Sequence, residues 1–185
     1  MKRFFFLAIT CFALIIASCS SDDDDDISTT KNYLKVKGVE YDLNNIGQLD
    51  IWGSTSGVYY TTLYLHSGSL GKYDLGYVGD GAVIYLDIDS SSDDGLEAGD
   101  YTINFEGWDS PQNTIVFAYF ITDDDGTLLF PELSESIRIL HGKLHISRSG
   151  NIYSITINCS GFNDEKIKGF YKGTLYIVDR VDWNS

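Results

Sequence analysis

The clearest pattern in the sequence is Ala82-Val83-Ile84-Tyr85-Leu86-Asp87-Ile88-Asp89. Small or aliphatic side chains stand at every second position, and the positions between them end in two aspartates. Successive side chains of a β-strand point to opposite faces of the sheet, so this alternation predicts a strand with one face on a core and the other in water. Such a strand is typical of an antiparallel sheet.

The same period of two extends through most of the chain after Tyr33. Runs of β-branched and aromatic residues alternate with clusters of glycine, serine, asparagine and aspartate, and no segment keeps a helical period. The sequence therefore predicts one all-β domain over residues 32–185, with roughly ten strands. We favour an antiparallel β-sandwich because the strands are uneven in length and the connections long; a lipocalin-like β-barrel is the alternative.

The first residues have the composition of an export signal. A positively charged start precedes an apolar run at residues 4–17, which is too short to span a bilayer. The run closes in Ile16-Ala17-Ser18-Cys19, and this order resembles the lipobox of bacterial lipoproteins. The resemblance implies cleavage before Cys19 and lipid attachment to its thiol and amine. We therefore expect residues 1–18 to be a lipoprotein signal peptide, with an ordinary signal peptide as the alternative.

An acidic run, Ser20-Ser21-Asp22-Asp23-Asp24-Asp25-Asp26, follows the cysteine. Like charges repel and cannot be buried, so residues 19–31 are expected to form an extended tether. An acidic run directly after a lipidated cysteine also resembles the surface-export signal of Bacteroidota-type lipoproteins. That resemblance implies an outer-membrane protein that faces the cell exterior; a linker at the periplasmic face of a membrane is the alternative.

The last third of the chain forms a regular predicted meander. Its phrases Gly142-Lys143-Leu144-His145-Ile146, Tyr153-Ser154-Ile155 and Lys168-Gly169-Phe170-Tyr171-Lys172-Gly173-Thr174-Leu175 resemble the C-terminal part of poorly characterised surface lipoproteins of the same bacterial group. The resemblance implies an all-β domain and little else.

Charge and cysteine content narrow the function further. The formal net charge is -14, which opposes binding to nucleic-acid phosphates. Of three cysteines, Cys11 leaves with the signal peptide and Cys19 carries lipid, so no disulfide can form within the domain. The remaining cysteine, Cys159, follows an alternating run and is predicted to be a core or strand-end residue instead of a nucleophile.

One stretch resembles a calcium loop. Asp123 and Asp125, with Glu132 further on, could bind a structural calcium ion. The position that should supply the first ligand is Ile121, so an Asp-Gly hairpin turn explains the same residues with fewer assumptions. No other cofactor is predicted.

Aromatic residues are abundant, and five lie off the predicted core face or in loops. Aromatic rings beside carboxylates make a platform for sugars, because a ring packs against the C–H face of a pyranose and polar groups bind its hydroxyls. The alternative is that the two tryptophans cap the core. The candidate ligand-binding residues are Trp52, Tyr60, Tyr64, Tyr85 and Trp108.

Asp87 and Asp89 share one face of their predicted strand, about 7 Å apart from a rise of about 3.3 Å per residue. Paired carboxylates in glycoside hydrolysis can have this separation, but a solvated strand face is the simpler interpretation. No catalytic residue is predicted.

We expect a non-enzymatic binding module, with glycans as the first candidate ligand. An alternative is a structural or accessory subunit that docks on an envelope or adhesive assembly, and a further one is a hydrolase of unrecognised type. Glycan binding predicts a concave patch with at least two of the five aromatic residues. Docking predicts an exposed apolar patch or an open sheet edge, and a hydrolase predicts two or more carboxylates in one pocket.

Overall fold

The computed structural model describes residues 27–68, 71–73, 76–78, 81–105, 111–123 and 136–180, with only the backbone described for 71–73, 76–78 and 123. The predicted signal peptide, the lipid site Cys19 and most of the tether lie outside these residues. Within the described ranges the chain forms twelve strands and no helix. The strands are β1 (Tyr33–Val36), β2 (Val39–Asp42), β3 (Ile46–Thr55), β4 (Val58–His66), β5 (Gly71–Tyr73), β6 (Gly76–Val78), β7 (Gly81–Ser90), β8 (Gly99–Ile103), β9 (Thr114–Asp123), β10 (Ser136–Ser149), β11 (Ile152–Gly161) and β12 (Lys166–Asp179).

Ten of these strands belong to one sheet, and eight of them close into a barrel. Around the ring the order is β3, β4, β7, β9, β8, β10, β11 and β12. Strand β12 pairs with β11 on one edge and, in parallel, with β3 on the other, so the ring has no free edge at this point. The hairpin of β1 and β2 extends from β12, and β5 pairs with β6 in a separate small sheet.

The all-β prediction is confirmed, with ten strands in the main sheet. Of the two architectures, the barrel fits and the favoured sandwich is less well supported, because ten of the twelve described strands form one continuous sheet instead of two facing sheets. The sheet is also not wholly antiparallel, since β12 with β3 and β8 with β9 are parallel pairs. Barrel closure and the parallel pairs depend on which distant strands pair with each other. The local alternation of residues does not indicate that pairing.

Strand β12 is the seam of the barrel. Its first half pairs with β1 and its second half with β3. The backbones approach so closely here that a Cβ atom on Gly173 would overlap the carbonyl oxygen of Asn45. Nearby, the backbone N–H of Gly47 donates to the hydroxyl of Tyr171 across 2.9 Å, and burial raises the pKa of Tyr171 to about 12. Glycine is therefore required at position 173, where the ring closes.

The barrel interior holds one apolar core to which nearly every ring strand contributes. The predicted inward residues of β7 are all buried there, and Cys159 is buried with them, as predicted. Every strand of the barrel lies between residues 33 and 179, so the segment 27–185 contains the whole described fold. In the described part of the chain, no helix is long and apolar enough to cross a membrane. The core residues from the central strands are Leu49, Leu63, Leu65, Ala82, Ile84, Leu86, Ile88, Ala118 and Phe120.

Candidate functional site

The outer face of β7 is covered, which corrects the prediction of a strand wet on one side. Val83 and Asp89 are buried, and Tyr85 and Asp87 are half-buried. Part of this cover is aromatic, because Val83 packs in a second apolar cluster outside the barrel together with tyrosines of β4, β7 and β9. The acidic pair of β7 therefore lies on a covered face and not on a solvated one.

Strand register brings polar and aromatic residues of four strands into one row. Asp50 of β3 lies opposite Thr62 of β4, Thr62 lies opposite Asp87 of β7, and Asp87 lies opposite Phe117 of β9. Directly opposed residues have Cβ atoms about 5 Å apart, so each member of the row contacts the next. In the neighbouring row on the same face, Tyr64 of β4 lies opposite Tyr85 of β7. Their rings meet edge-on at a centroid distance of 5.3 Å.

A pocket of about 370 Å³ opens on this face. Three of the five predicted ligand-binding residues, Trp52, Tyr60 and Tyr85, line it. Tyr64 does not line it but packs against Tyr85, and Trp108 lies outside the described residues. The lining also includes Thr62, Asp87, Asp89, Phe105 and Phe117.

Two β-bulges flank the pocket. Trp52 is the extra residue of β3, between the pairs Ile51–Thr61 and Gly53–Tyr60. Val116 is the extra residue of β9, between the partners of Asp87 and Ile88. A bulge interrupts the strict alternation of side chains and changes the direction of a side chain, as is common beside binding sites. Both extra residues line the pocket, so the bulges shape it.

Phe105 and Phe117 are pocket residues that the sequence analysis missed. Phe117 follows the alternation of its strand, and with the register known it would have been placed beside Asp87. Phe105 lies after β8, and its ring centroid lies 6.4 Å from that of Phe117. No sequence pattern indicates which strand a residue in such a connection will pack against.

A chain of hydrogen bonds holds Asp87. The indole N–H of Trp52 donates to Oγ1 of Thr62 (2.9 Å), and the Thr62 hydroxyl donates to Oδ1 of Asp87 (2.7 Å). The hydroxyl of Tyr85 donates to Oδ2 of Asp87 (2.9 Å). Both carboxylate oxygens of Asp87 are thus engaged. Burial raises the pKa of Asp87, and the two donated hydrogen bonds oppose that rise.

Asp89 is in a different situation. The residue is 2 % exposed, and its Oδ2 atom has no hydrogen-bond partner in the part of the chain that the structure describes. Burial, and secondarily the negative charge of Asp87, raise the pKa of Asp89. A buried carboxylate oxygen without a donor is costly, and native proteins keep few such groups. Of the two carboxylates that line the pocket, Asp89 is therefore the one with an unfilled acceptor.

Arg180 supports the pocket from the side. Its guanidinium carbon lies 4.9 Å from the ring centroid of Trp52, and its Nε donates to Oδ2 of Asp50 across 2.7 Å. The amide of Gln48 donates to the other oxygen of Asp50. The carboxylate of Asp50 is 2 % exposed, so this ion pair is largely withdrawn from water. Arg180 thus packs on Trp52 while its charge is engaged with Asp50.

The predicted calcium site falls largely outside the described part of the chain. Asp125 and Glu132 are not described, and of Asp123 only the backbone is described, as the last residue of β9. Among described side chains, no group of three or more histidine, cysteine or acidic residues is arranged to hold a metal ion.

Comparison with protein-family models, with curated proteins and with solved structures finds no match to this chain. The pocket combines aromatic walls with two carboxylates. Flat rings can pack on apolar faces of a ligand, while Asp89 can accept a hydrogen bond from it.

Proposed function

We propose that the chain is a non-enzymatic glycan-binding lipoprotein and that the pocket lined by Trp52, Tyr60 and Tyr85 is its ligand site. The observation that carries the proposal is the convergence of these three residues, which come from strands β3, β4 and β7, on one concavity with two carboxylates. A sugar offers apolar C–H faces to the rings and hydroxyl donors to the carboxylates.

The size of the pocket supports a short stretch of glycan. Sites for small ligands range from about 300 to 1,000 Å³, and the pocket lies at the lower end of that range. The exposed fraction of Trp52, 46 %, leaves part of its ring surface accessible. A ring that is fixed by a hydrogen bond and still accessible suits stacking with little loss of side-chain entropy.

The proposed location follows from the N-terminal resemblance alone. A lipid on Cys19 and the acidic residues after it would anchor the domain in the outer membrane and display it on the cell surface. Several acyl chains on one cysteine make such an anchor durable, since one chain alone holds a protein only marginally.

The experiment is a glycan-binding assay on the segment 27–185. Polysaccharides and mucin glycans are tested by gel retardation and calorimetry with the wild type and with Trp52→Ala and Trp108→Ala. The matched control is Tyr176→Ala, which truncates an aromatic side chain that is 64 % exposed and does not line the pocket. Retardation that Trp52→Ala abolishes and Tyr176→Ala preserves supports the proposal. A flat result for the wild type across the panel contradicts it.

A glycoside hydrolase is the second candidate, because Asp87 and Asp89 line the same pocket in different environments. Paired carboxyl groups with different surroundings are the basis of acid–base assignment in such enzymes. We rank it second because both carboxylates project from one strand, whereas the two groups of these enzymes flank the scissile bond. Release of reducing ends from a bound glycan, lost in Asp89→Asn, would favour the hydrolase.

The docking alternative has less support. The outer edge strand of the main sheet, β2, has only four residues and carries Glu40 and Asp42, which are features that protect an edge from pairing. Exposed apolar residues do come together elsewhere, since Ile46 and Ile152 both lie opposite Thr174 on the strands beside it. These two isoleucines are far fewer than the roughly 20 to 30 residues that each side of a stable protein interface contributes.

A further inference from the structure

The charge of the pocket is unbalanced. Asp87 and Asp89 both line it, and no arginine, lysine or histidine among the described residues does so. Arg180 is engaged with Asp50, and Arg138 lies over the ring of Phe105 without lining the pocket. A buried carboxylate is normally paired with a cation or supplied with several donors. Asp87 receives two donors, whereas Oδ2 of Asp89 has none.

The walls of the pocket also favour a positive charge. Trp52, Tyr60, Tyr85, Phe105 and Phe117 surround the carboxylates, and the negative faces of aromatic rings attract cations. Guanidinium groups already lie over two of these rings, at 4.9 Å for Trp52 and 5.0 Å for Phe105. The strongly acidic chain adds a long-range attraction for cationic ligands.

We propose that the glycan ligand carries a free primary amine, as an unsubstituted amino sugar does, and that Asp89 receives the ammonium group. This inference rests on the proposed function and names the substrate class of the same site. A primary ammonium supplies an N–H donor for Oδ2 of Asp89. It also supplies a positive charge that compensates the carboxylates of the pocket. A neutral hydroxyl supplies only the donor, and a quaternary ammonium supplies only the charge.

The two adjacent carboxylates then have separate roles. Asp87 is held by Thr62 and Tyr85 and fixes the Trp52 ring through Thr62, so it positions the aromatic wall. Asp89 contacts the ligand. Burial raises the pKa of Asp89 in the free protein, and the positive charge of a bound ammonium would oppose that rise.

The experiment compares three oligosaccharides of equal length and linkage by calorimetry on the segment 27–185: oligomers of glucosamine, of N-acetylglucosamine and of glucose. The N-acetyl form replaces the ammonium with a larger neutral amide, and the glucose form replaces it with a neutral hydroxyl of similar size. The variants are Asp89→Asn, which keeps the shape of the side chain, and Asp94→Asn as the control. Asp94 is an exposed aspartate that does not line the pocket, so the control removes the same charge elsewhere.

We expect the glucosamine oligomer to bind roughly tenfold more tightly than the other two, in line with a charge-assisted hydrogen bond. The preference should disappear in Asp89→Asn and persist in Asp94→Asn. Equal binding of the three oligomers to the wild type, or a preference that survives in Asp89→Asn, would overturn the inference and leave the proposed function intact. No binding of any glycan, in this series or in the wider panel, would overturn the proposed function itself.

Discussion

The indole N–H of Trp52 on β3 lies 2.9 Å from Oγ1 of Thr62 on β4, and it donates a hydrogen bond to that hydroxyl. The same hydroxyl donates onward to Asp87, so Thr62 is both acceptor and donor. One threonine therefore connects the most exposed aromatic ring of the pocket to its half-buried acid, Asp87. Removal of its hydroxyl should affect the ring and the acid together.

The first prediction concerns Thr62→Val, which keeps the shape and removes the hydroxyl. The Trp52 ring loses its fixed orientation and Asp87 loses one of two donors, so glycan affinity should fall about fivefold, as expected for one hydrogen bond. Calorimetry measures the change. The control is Tyr101→Phe, which removes a buried hydroxyl that bonds the carbonyl of Glu97 away from the pocket. Equal loss of affinity in both variants would show that general destabilisation is the cause.

The second prediction concerns Asp89→Asn and pH. The pKa of Asp89 is higher in the folded chain than in the unfolded chain, so the folded state binds more protons between the two values. This carboxyl therefore lowers the free energy of unfolding as pH rises through that window. Asp89→Asn should be more stable than the wild type by roughly 1 kcal/mol at neutral pH, and the gain should vanish in acid. Denaturant unfolding across pH measures both.

Asp94→Asn is the control, because the pKa of Asp94 is shifted in the opposite direction from that of Asp89. Hydrogen bonds from Ser92 and Arg148 lower the pKa of Asp94, so its contribution to stability is present at neutral pH and is lost on acidification. The control should gain nothing at neutral pH. A neutral-pH gain in Asp94→Asn, or none in Asp89→Asn, would be inconsistent with an unsatisfied buried carboxylate at position 89.

The third prediction concerns Arg180→Ala. Asp50 would be left buried without its cation, and breaking a buried pair from one side costs about 3 kcal/mol. The matched variant is Arg148→Ala, since Arg148 also lies over an aromatic ring but pairs with the exposed Asp94. That change should cost under about 1 kcal/mol. Thermal and denaturant unfolding compare the two, and similar losses would refute the difference in burial as the cause.

The fourth prediction concerns Gly173→Ala at the seam of the barrel. The added methyl group would overlap the carbonyl oxygen of Asn45, a backbone atom that cannot rotate away. The free energy of unfolding should fall by about 2 kcal/mol or more. In Gly150→Asn the new side chain enters open space, and asparagine tolerates the left-handed backbone of that turn. The free energy of unfolding should therefore fall by only a few tenths of a kcal/mol. A seam variant as stable as this turn variant would mean that the seam can open slightly.

The fifth prediction concerns Cys159. The residue is 5 % exposed and burial raises its thiol pKa to about 12, so the native chain presents almost no thiolate. Iodoacetamide at about pH 8 should label the segment 27–185 only after unfolding. Mass spectrometry before and after addition of denaturant measures the labelling. Rapid labelling of the native segment would indicate that this part of the core opens readily.

The sequence predicted the inner face of the barrel well, because burial in a sheet follows a strict period of two. Ala82, Ile84, Leu86 and Ile88 are buried as the alternation indicates. The same reasoning was wrong about the opposite face, where Asp89 is buried. Alternation shows that two faces differ, and it carries no information about what covers the second one.

The pocket was only partly predictable for a related reason. Aromatic character and position off the core face selected Trp52, Tyr60 and Tyr85, which do meet. Phe105 and Phe117 were missed because their placement depends on which strands are neighbours. The bulge at Trp52 was not visible either, since an extra residue in one strand is defined only against its partner.

Closure of the barrel through the parallel pairing of β12 with β3 has a kinetic consequence. Ile46 and Thr174 are opposed in that pairing although more than a hundred residues separate them, and contacts between such distant segments form slowly. Arg180, which follows β12, then donates its backbone N–H to Ile51 next to Trp52. A chain that ends before β12 therefore lacks the last strand of the barrel, and it also lacks Arg180, which packs on Trp52. We therefore expect the proposed ligand recognition to be among the last properties to appear as the polypeptide folds, and its onset would report that folding is complete.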